Sequence, residues 1–377
     1  MDIYKESVEL HQKVGGKIET GMKVDLNNKR DLSLAYSPGV AGVSRAIDAD
    51  ISKANELTIK KNTVAVVSDG SAILGLGNLG PYAALPVMEG KAALFKHFAD
   101  VDAFPICIDT QDVDEIVALV KNIAPTFGGI NLEDISAPRC FEVEKRLRDE
   151  LDIPVMHDDQ HGTAIVVLAG LINALKLRDS NKKDVKVVVN GVGAAGVAIT
   201  NILLDWGVVD ITLCDSKGIV CSKREDLNDT KIQLLQKTNL KDTRGLLADA
   251  LEGADIFIGV SVADVFKGDM VQIMNEKPII FALANPEPEI MPDVAMSAGA
   301  FIVATGRSDF PNQVNNVLAF PGVFRGALDN DIAQFRDYMF VAAAEAIASC
   351  VDNLSVDMII PDPFDENVSK AVAEVIK

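Results

Sequence analysis

The sequence predicts an α/β protein of two domains, each built on a mostly parallel sheet, followed by a helical C-terminal tail. Three observations predict it. Short β-branched runs bounded by turn residues alternate with helical stretches through both halves of the chain. A length of 377 residues suits two domains rather than one. A composition that is 48% apolar and 24% charged supplies material for real cores and excludes a globally disordered chain.

The elements follow in order. Residues 3–16 carry a helical pattern. A loop then holds Asp31, Tyr36 and Ser37-Pro38-Gly39, in which Pro38 biases Ser37 to extended backbone. Residues 63–67 read as a buried strand ending in Ser68-Asp69-Gly70. Residues 80–98 read as loop and helix, 104–108 as strand, and 112–127 as a helix opened by an acidic cap. Residues 129–134 form a short strand with a polar end, 140–151 a helix, and 153–156 a strand. This alternation implies parallel pairing. A long apolar helix over 161–178 and the polar break 181–184 lead to strands at 185–189, 211–213, 256–258, 279–282 and 301–304. The tail holds a helix over 340–350 and a short final one. The expected domains are 1–160, 161–330 and the tail 331–377, packed back on them.

Charge and cysteine usage narrow the function. With 36 Lys plus Arg against 55 Asp plus Glu, the net charge is −19, which argues against a nucleic-acid binder. The N-terminus has no apolar signal core, and the longest smooth apolar run, 164–172, is too short to span a membrane. Cys107, Cys140, Cys214, Cys221 and Cys350 are scattered without a CxxC pair, as reduced thiols are. A cytoplasmic protein without a membrane partner is expected.

GxGxxG occurs twice. Gly191-Val192-Gly193-Ala194-Ala195-Gly196 follows the strand 185–189 directly and opens a small-residue helix. Asp215 ends the next strand. This is the Rossmann arrangement: a tight turn, backbone close to a pyrophosphate, a helix N-terminus, and a carboxylate for the ribose. Asp215 favours NAD, while Ser216-Lys217 offers a cation for NADP. The other copy, residues 75–80, lies well past its nearest strand and reads as a closely packed or flexible loop beside the cleft.

Glu133-Asp134 and Asp158-Asp159 stand at the ends of neighbouring strands. Carboxylates that converge there call for a hard divalent ion, Mg²⁺ or Mn²⁺, although solvated helix caps are an alternative for Asp158 and Asp159. His157 and His161 mimic a zinc-protease spacing without its glutamate; His157 is expected to be a packing or supporting residue. Lys91, in the apolar run 89–95, suits a base of lowered pKa or a lysine that snorkels. Asn285 and Asn316, each near an apolar run, can face the nicotinamide cleft.

Together these segments resemble the small-subunit bacterial malic enzymes, which oxidise and decarboxylate malate. Tyr36-Ser37-Pro38-Gly39-Val40, the segments 73–80 and 89–94, Asn131-Leu132-Glu133-Asp134-Ile135, the segment 157–163 and Phe310-Pro311-Asn312-Gln313-Val314-Asn315-Asn316 recur in family order. The resemblance implies Tyr36 as general acid and Lys91 as general base. It implies Glu133, Asp134 and Asp159 as ligands of Mg²⁺ or Mn²⁺, with Asp158 as their neighbour. Asn285 and Asn316 hold substrate, and the 191–196 motif with Asp215 and Asn285 binds NAD or NADP. Asp69 and Gly70 line the cleft. The larger eukaryotic members grip the substrate carboxylate with an arginine where this chain has Ala72. The phosphotransacetylase-like C-terminal region of some bacterial members is not expected.

The reaction so implied takes (S)-malate to pyruvate and CO₂, with oxaloacetate decarboxylation as a partial activity, in a homodimer or dimer-based oligomer. For Lys91 to act as base its pKa should lie below the ordinary value of about 10.4. Two rival readings share the dinucleotide half: a 2-hydroxy acid dehydrogenase without decarboxylation, and a non-catalytic dinucleotide-binding sensor.

Overall fold

The computed structural model describes residues 3–377; Met1 and Asp2, with which the expected first domain begins, lie outside them. The first sheet contains β1 (Thr63–Ser68), β2 (Asp102–Cys107), β3 (Gly129–Leu132) and β4 (Val155–His157). All its pairings are parallel, in the order β2-β1-β3-β4. β1 is buried at every position, as a β-branched strand covered on both faces should be. The strand order reverses between β1 and β3, so a crevice opens at their carboxyl ends.

The second sheet contains β5 (Lys186–Asn190), β6 (Asp210–Asp215), β7 (Gly218–Ile219), β8 (Ile256–Gly259), β9 (Ile279–Ala282) and β10 (Ile302–Thr305). Its order is β10-β9-β8-β5-β6-β7, parallel except for β7. This is the doubly wound dinucleotide-binding order, with its switch between β5 and β8. The two-residue β7 is too short to leave a periodic signal.

The helix Asp158–Arg178 follows β4 without a loop and packs against the helices Ala194–Trp206 and Asp337–Ser349. One core cluster contains Val64 and Val66 of β1, Ile165 to Ala169 of this helix, and Val187 and Val189 of β5. By length and composition alone the helix could cross a membrane, but 78% of its apolar window is buried inside the protein. It begins three residues earlier than expected, so Asp158 and Asp159 lie in its first turn. The terminal helix Glu366–Val375 packs on Phe320–Asp329 and Asp337–Ser349. The expected helix over 112–127 stops at Ile123, where a turn containing Pro125 takes over.

The N-terminal helices Ile3–Val14, Lys29–Ala35, Val40–Ala49 and Lys53–Leu57 contain no buried residue. Asp31, expected in a loop, lies in the first turn of Lys29–Ala35, where the Asn28 side chain accepts the N–H groups of Arg30 and Asp31. Lys17 ties the segment to the helix Pro81–Ala99 by donating to the Pro86 carbonyl at 2.6 Å.

Candidate active site

The crevice of the first sheet gathers acidic side chains around one lysine. Lys91, on the helix Pro81–Ala99, is 7% exposed. Its Nζ lies 2.6 Å from Asp158 Oδ2 and 3.0 Å from Glu133 Oε1. The ring of Phe320 lies beneath it, with its centroid 4.2 Å from Nζ. Glu133 follows β3, and its Oε2 accepts from Asn131 Nδ2 at 3.0 Å. Asp134 takes a left-handed backbone, φ 54°, and donates its N–H to Asp159 Oδ2 at 2.8 Å. Gly162 makes room for this arrangement, since a Cβ there would collide with Asp158 Oδ1 and stand 3.2 Å from Asn316 Cβ. Asn316 therefore flanks the acidic corner.

Burial drives the acids upward, and their mutual repulsion adds to it. Glu133 and Asp158 are pushed up to about 7, Asp134 to about 9 and Asp159 to about 6. Burial also keeps His157 neutral, with a pKa lowered to about 4. The expectation for Lys91 is corrected. Burial opposes its charge, but Asp158 and Glu133 outweigh burial, and the pKa is raised above the ordinary lysine value. Lys91 is an ammonium in this state.

The site's donors suit a hard cation. All are carboxylate oxygens, and the buried Asp134 Oδ2 and Asp158 Oδ1 have no hydrogen-bond partner among the described residues. Among the described residues no three His, Cys, Asp or Glu side chains already surround one point, and Lys91 lies between Glu133 and Asp158. The chemistry of the set fits Mg²⁺ or Mn²⁺.

A second layer was not legible in the sequence. Glu144, on the helix Arg139–Glu150, accepts the His157 N–H and the Gln160 Nε2, both at 3.1 Å. It thereby caps a helix whose own N-cap residue makes no side-chain cap. His161 Nε2 lies 2.9 Å from Glu144 and its ring stacks on Phe340. At the Ala72 position, the backbone N–H donates to the Asp134 carbonyl at 2.9 Å. Beside it, Arg139 Nη2 reaches Asp69 and Ser71, each at 2.9 Å.

Tyr36 stands apart. It is 69% exposed at the end of the helix Lys29–Ala35, and no hydrogen bond joins it to Lys91 or to the carboxylates.

The dinucleotide motif is built as its spacing predicts. Gly191 has φ 112°, and a Cβ on Gly196 would strike the Gly191 carbonyl. Gly193 caps the helix Ala194–Trp206, where open space adjoins its Cα, and Ala194 and Ala195 form the first turn. Asp215 ends β6 and receives four donors: Arg224 Nη1 at 2.7 Å, Arg224 Nη2 at 2.9 Å, Lys231 Nζ at 2.5 Å and the Lys217 N–H at 2.9 Å. Burial would raise its pKa, but these hydrogen bonds outweigh it and hold the carboxyl down at about 2. The Lys217 side chain turns instead to Asp226, at 2.9 Å. Asn285 sits where the halves meet: a Cβ on Gly75 would lie 2.5 Å from its carbonyl oxygen, and one on Gly306 3.2 Å from its Nδ2. The loop 75–80 thus packs against the dinucleotide half. Glu289, fully buried, fixes the neighbouring turns by accepting the N–H groups of Ser261 and Ala284.

Comparison with known proteins agrees with this geometry. The family description "Malic enzyme, N-terminal domain" matches residues 15–148, and "Malic enzyme, NAD binding domain" matches residues 160–377. A bifunctional malic/malolactic enzyme of Bacillus subtilis is 57% identical over 100% of this chain and 92% of its own. An NADP-dependent malic enzyme of Rhizobium meliloti is 49% identical over 98% of this chain and 51% of its own. The crystal structure of the NAD-dependent malic enzyme of Thermotoga maritima superposes with a TM-score of 0.96 at 51% identity, covering 98% of each chain. With both halves of the chain matched in order, this protein belongs to the malic enzyme family.

Proposed function

We propose that this chain oxidises (S)-malate with NAD or NADP and releases pyruvate and CO₂. One observation carries the reading: a buried lysine sits in direct contact with two strand-end carboxylates, at a sheet switch point next to a dinucleotide-binding half. When bound, a divalent ion polarises the substrate oxygens and the nicotinamide accepts the hydride. Glu133, Asp134 and Asp159 would hold that ion. Lys91 passes its proton along the 2.6 Å contact to Asp158 and then takes the C2 hydroxyl proton. Asn316 and Asn285 orient the substrate, and Tyr36 returns a proton to C3 after decarboxylation.

The chain divides into 1–160, 161–330 and the tail 331–377, and works in the cytoplasm as a homodimer or dimer-based oligomer. What supports the dimer is the N-terminal segment, where Val8, Leu10, Met22, Val24, Leu32, Leu34 and Tyr36 are all exposed. A second copy seated there buries this apolar surface together with Tyr36.

The test combines malate and Mn²⁺ with NAD or NADP and reads reduced cofactor, pyruvate and CO₂. Reduced cofactor without CO₂ would favour the simple dehydrogenase, and cofactor binding without turnover would favour the sensor.

A further inference from the structure

We propose that Phe320 is a positioning residue for Lys91: its ring face seats the ammonium of the base without competing for its proton. The inference rests on the malate reading above for its catalytic consequence and on geometry for the contact itself. Lys91 Nζ lies 4.2 Å from the Phe320 centroid, and Phe320 has no exposed surface. At that range, in a desolvated setting, the negative face of the ring attracts the cation.

The ring is held rigidly. Phe95, one helical turn beyond Lys91 on the same helix, meets Phe320 edge-on at 4.7 Å. Phe95 also meets Phe324 at 5.5 Å, one turn beyond Phe320 on the helix Phe320–Asp329. Two i,i+4 pairs thus interlock, Lys91 and Phe95 against Phe320 and Phe324. Phe320 comes from the far end of the sequence, four residues after Asn316, so the part of the chain that flanks the acidic corner also carries the ring.

The ring does something that the carboxylates cannot. Asp158 and Glu133 attract the ammonium, but each can also take its proton, and Glu133 is assigned to the metal. An aromatic face attracts the charge and accepts no proton. The contact fixes where the Lys91 nitrogen sits in the acidic corner, so its loss is read on kcat rather than on KM for NAD.

The test replaces Phe320 in the full-length enzyme with 4-fluoro-, 3,5-difluoro- and 3,4,5-trifluorophenylalanine, which keep the ring's shape while draining its face. With malate, Mn²⁺ and NAD, kcat should fall stepwise, by about tenfold at the trifluoro ring, with KM for NAD unchanged. Phe320→Leu should lose at least as much, and Phe320→Tyr should recover most of it. A flat fluorine series overturns the proposal. A thermal-denaturation cycle tests the contact without turnover: Phe320→Leu should lower Tm less in a Lys91→Met background than in the wild type. Equal losses overturn the contact. If the wild-type enzyme makes no pyruvate, the malate reading falls, and the Tm cycle still decides the contact.

Discussion

Asp159 Oδ2 accepts the backbone N–H of Asp134 at 2.8 Å, so the side chain of one residue proposed to hold the metal ion fixes the backbone of another. The bond joins the end of β3 to the first turn of the helix Asp158–Arg178. Removing the Asp159 side chain takes away a ligand and also frees the strained turn that aims Asp134.

Asp159→Ala should therefore raise the Mn²⁺ concentration needed for half-saturation by about 10- to 100-fold. Electron paramagnetic resonance of free Mn²⁺ measures this directly. An unchanged titration would remove Asp159 from the ligand set.

Lys91→Ala should lower kcat by about 10²–10⁴-fold, the usual worth of a positioned base. NADH binding, followed by its fluorescence, should be spared, because the dinucleotide motif lies on the other sheet. Turnover close to that of the wild type would show that another group takes the proton.

The metal-free protein should become less stable as pH rises from about 4 to about 9. Burial, with repulsion among the carboxylates added and the attraction of Lys91 opposing both, lifts Asp159 to about 6, Glu133 and Asp158 to about 7 and Asp134 to about 9. Each carboxyl holds its proton more tightly folded than unfolded. The folded chain therefore binds more protons across that window, and stability declines through it. Mn²⁺ should raise Tm more at pH 8 than at pH 6, read by differential scanning calorimetry. An equal increment at both pH values would mean that the acids carry no unbalanced charge.

Asp215→Asn should shift cofactor choice toward NADP by about tenfold in kcat/KM, since a partly buried charge interaction of this kind is worth about 1–2 kcal/mol. The substitution removes the carboxylate proposed to repel a 2′-phosphate and releases Arg224 and Lys231, both of which it now engages. Unaltered NAD to NADP ratios would mean that the three residues form a structural cluster away from the ribose.

The sequence was most readable where chemistry is local. β-branched runs gave away β1, β5, β8 and β9, and the 191–196 motif could be placed because a strand directly precedes it. Legibility failed where the determinants are distant. Asp158 and Asp159 looked like residues ahead of a helix, yet they form its first turn, where they meet Lys91 and the Asp134 N–H. Gly75 could be read only as part of a closely packed or flexible loop beside the cleft, because the residue it packs against, Asn285, is 210 positions away. The charge state of Lys91 could not be read from its apolar neighbours, since the two acids that set it come from the end of β3 and from the first turn of the helix Asp158–Arg178. Glu144, Arg224 and Phe320 carry no motif, and only the folded arrangement reveals what they touch.

The helix Asp158–Arg178 presents the acidic corner at its first turn and runs through the interior shared by both sheets. A rod clamped along its length transmits displacement instead of absorbing it. Any swing of the dinucleotide half that drags this rod also shifts Asp158 and Asp159 against Lys91. Volume changes at Ile172 or Leu175, more than a dozen residues downstream, should thus be felt as changed reactivity at the opposite tip.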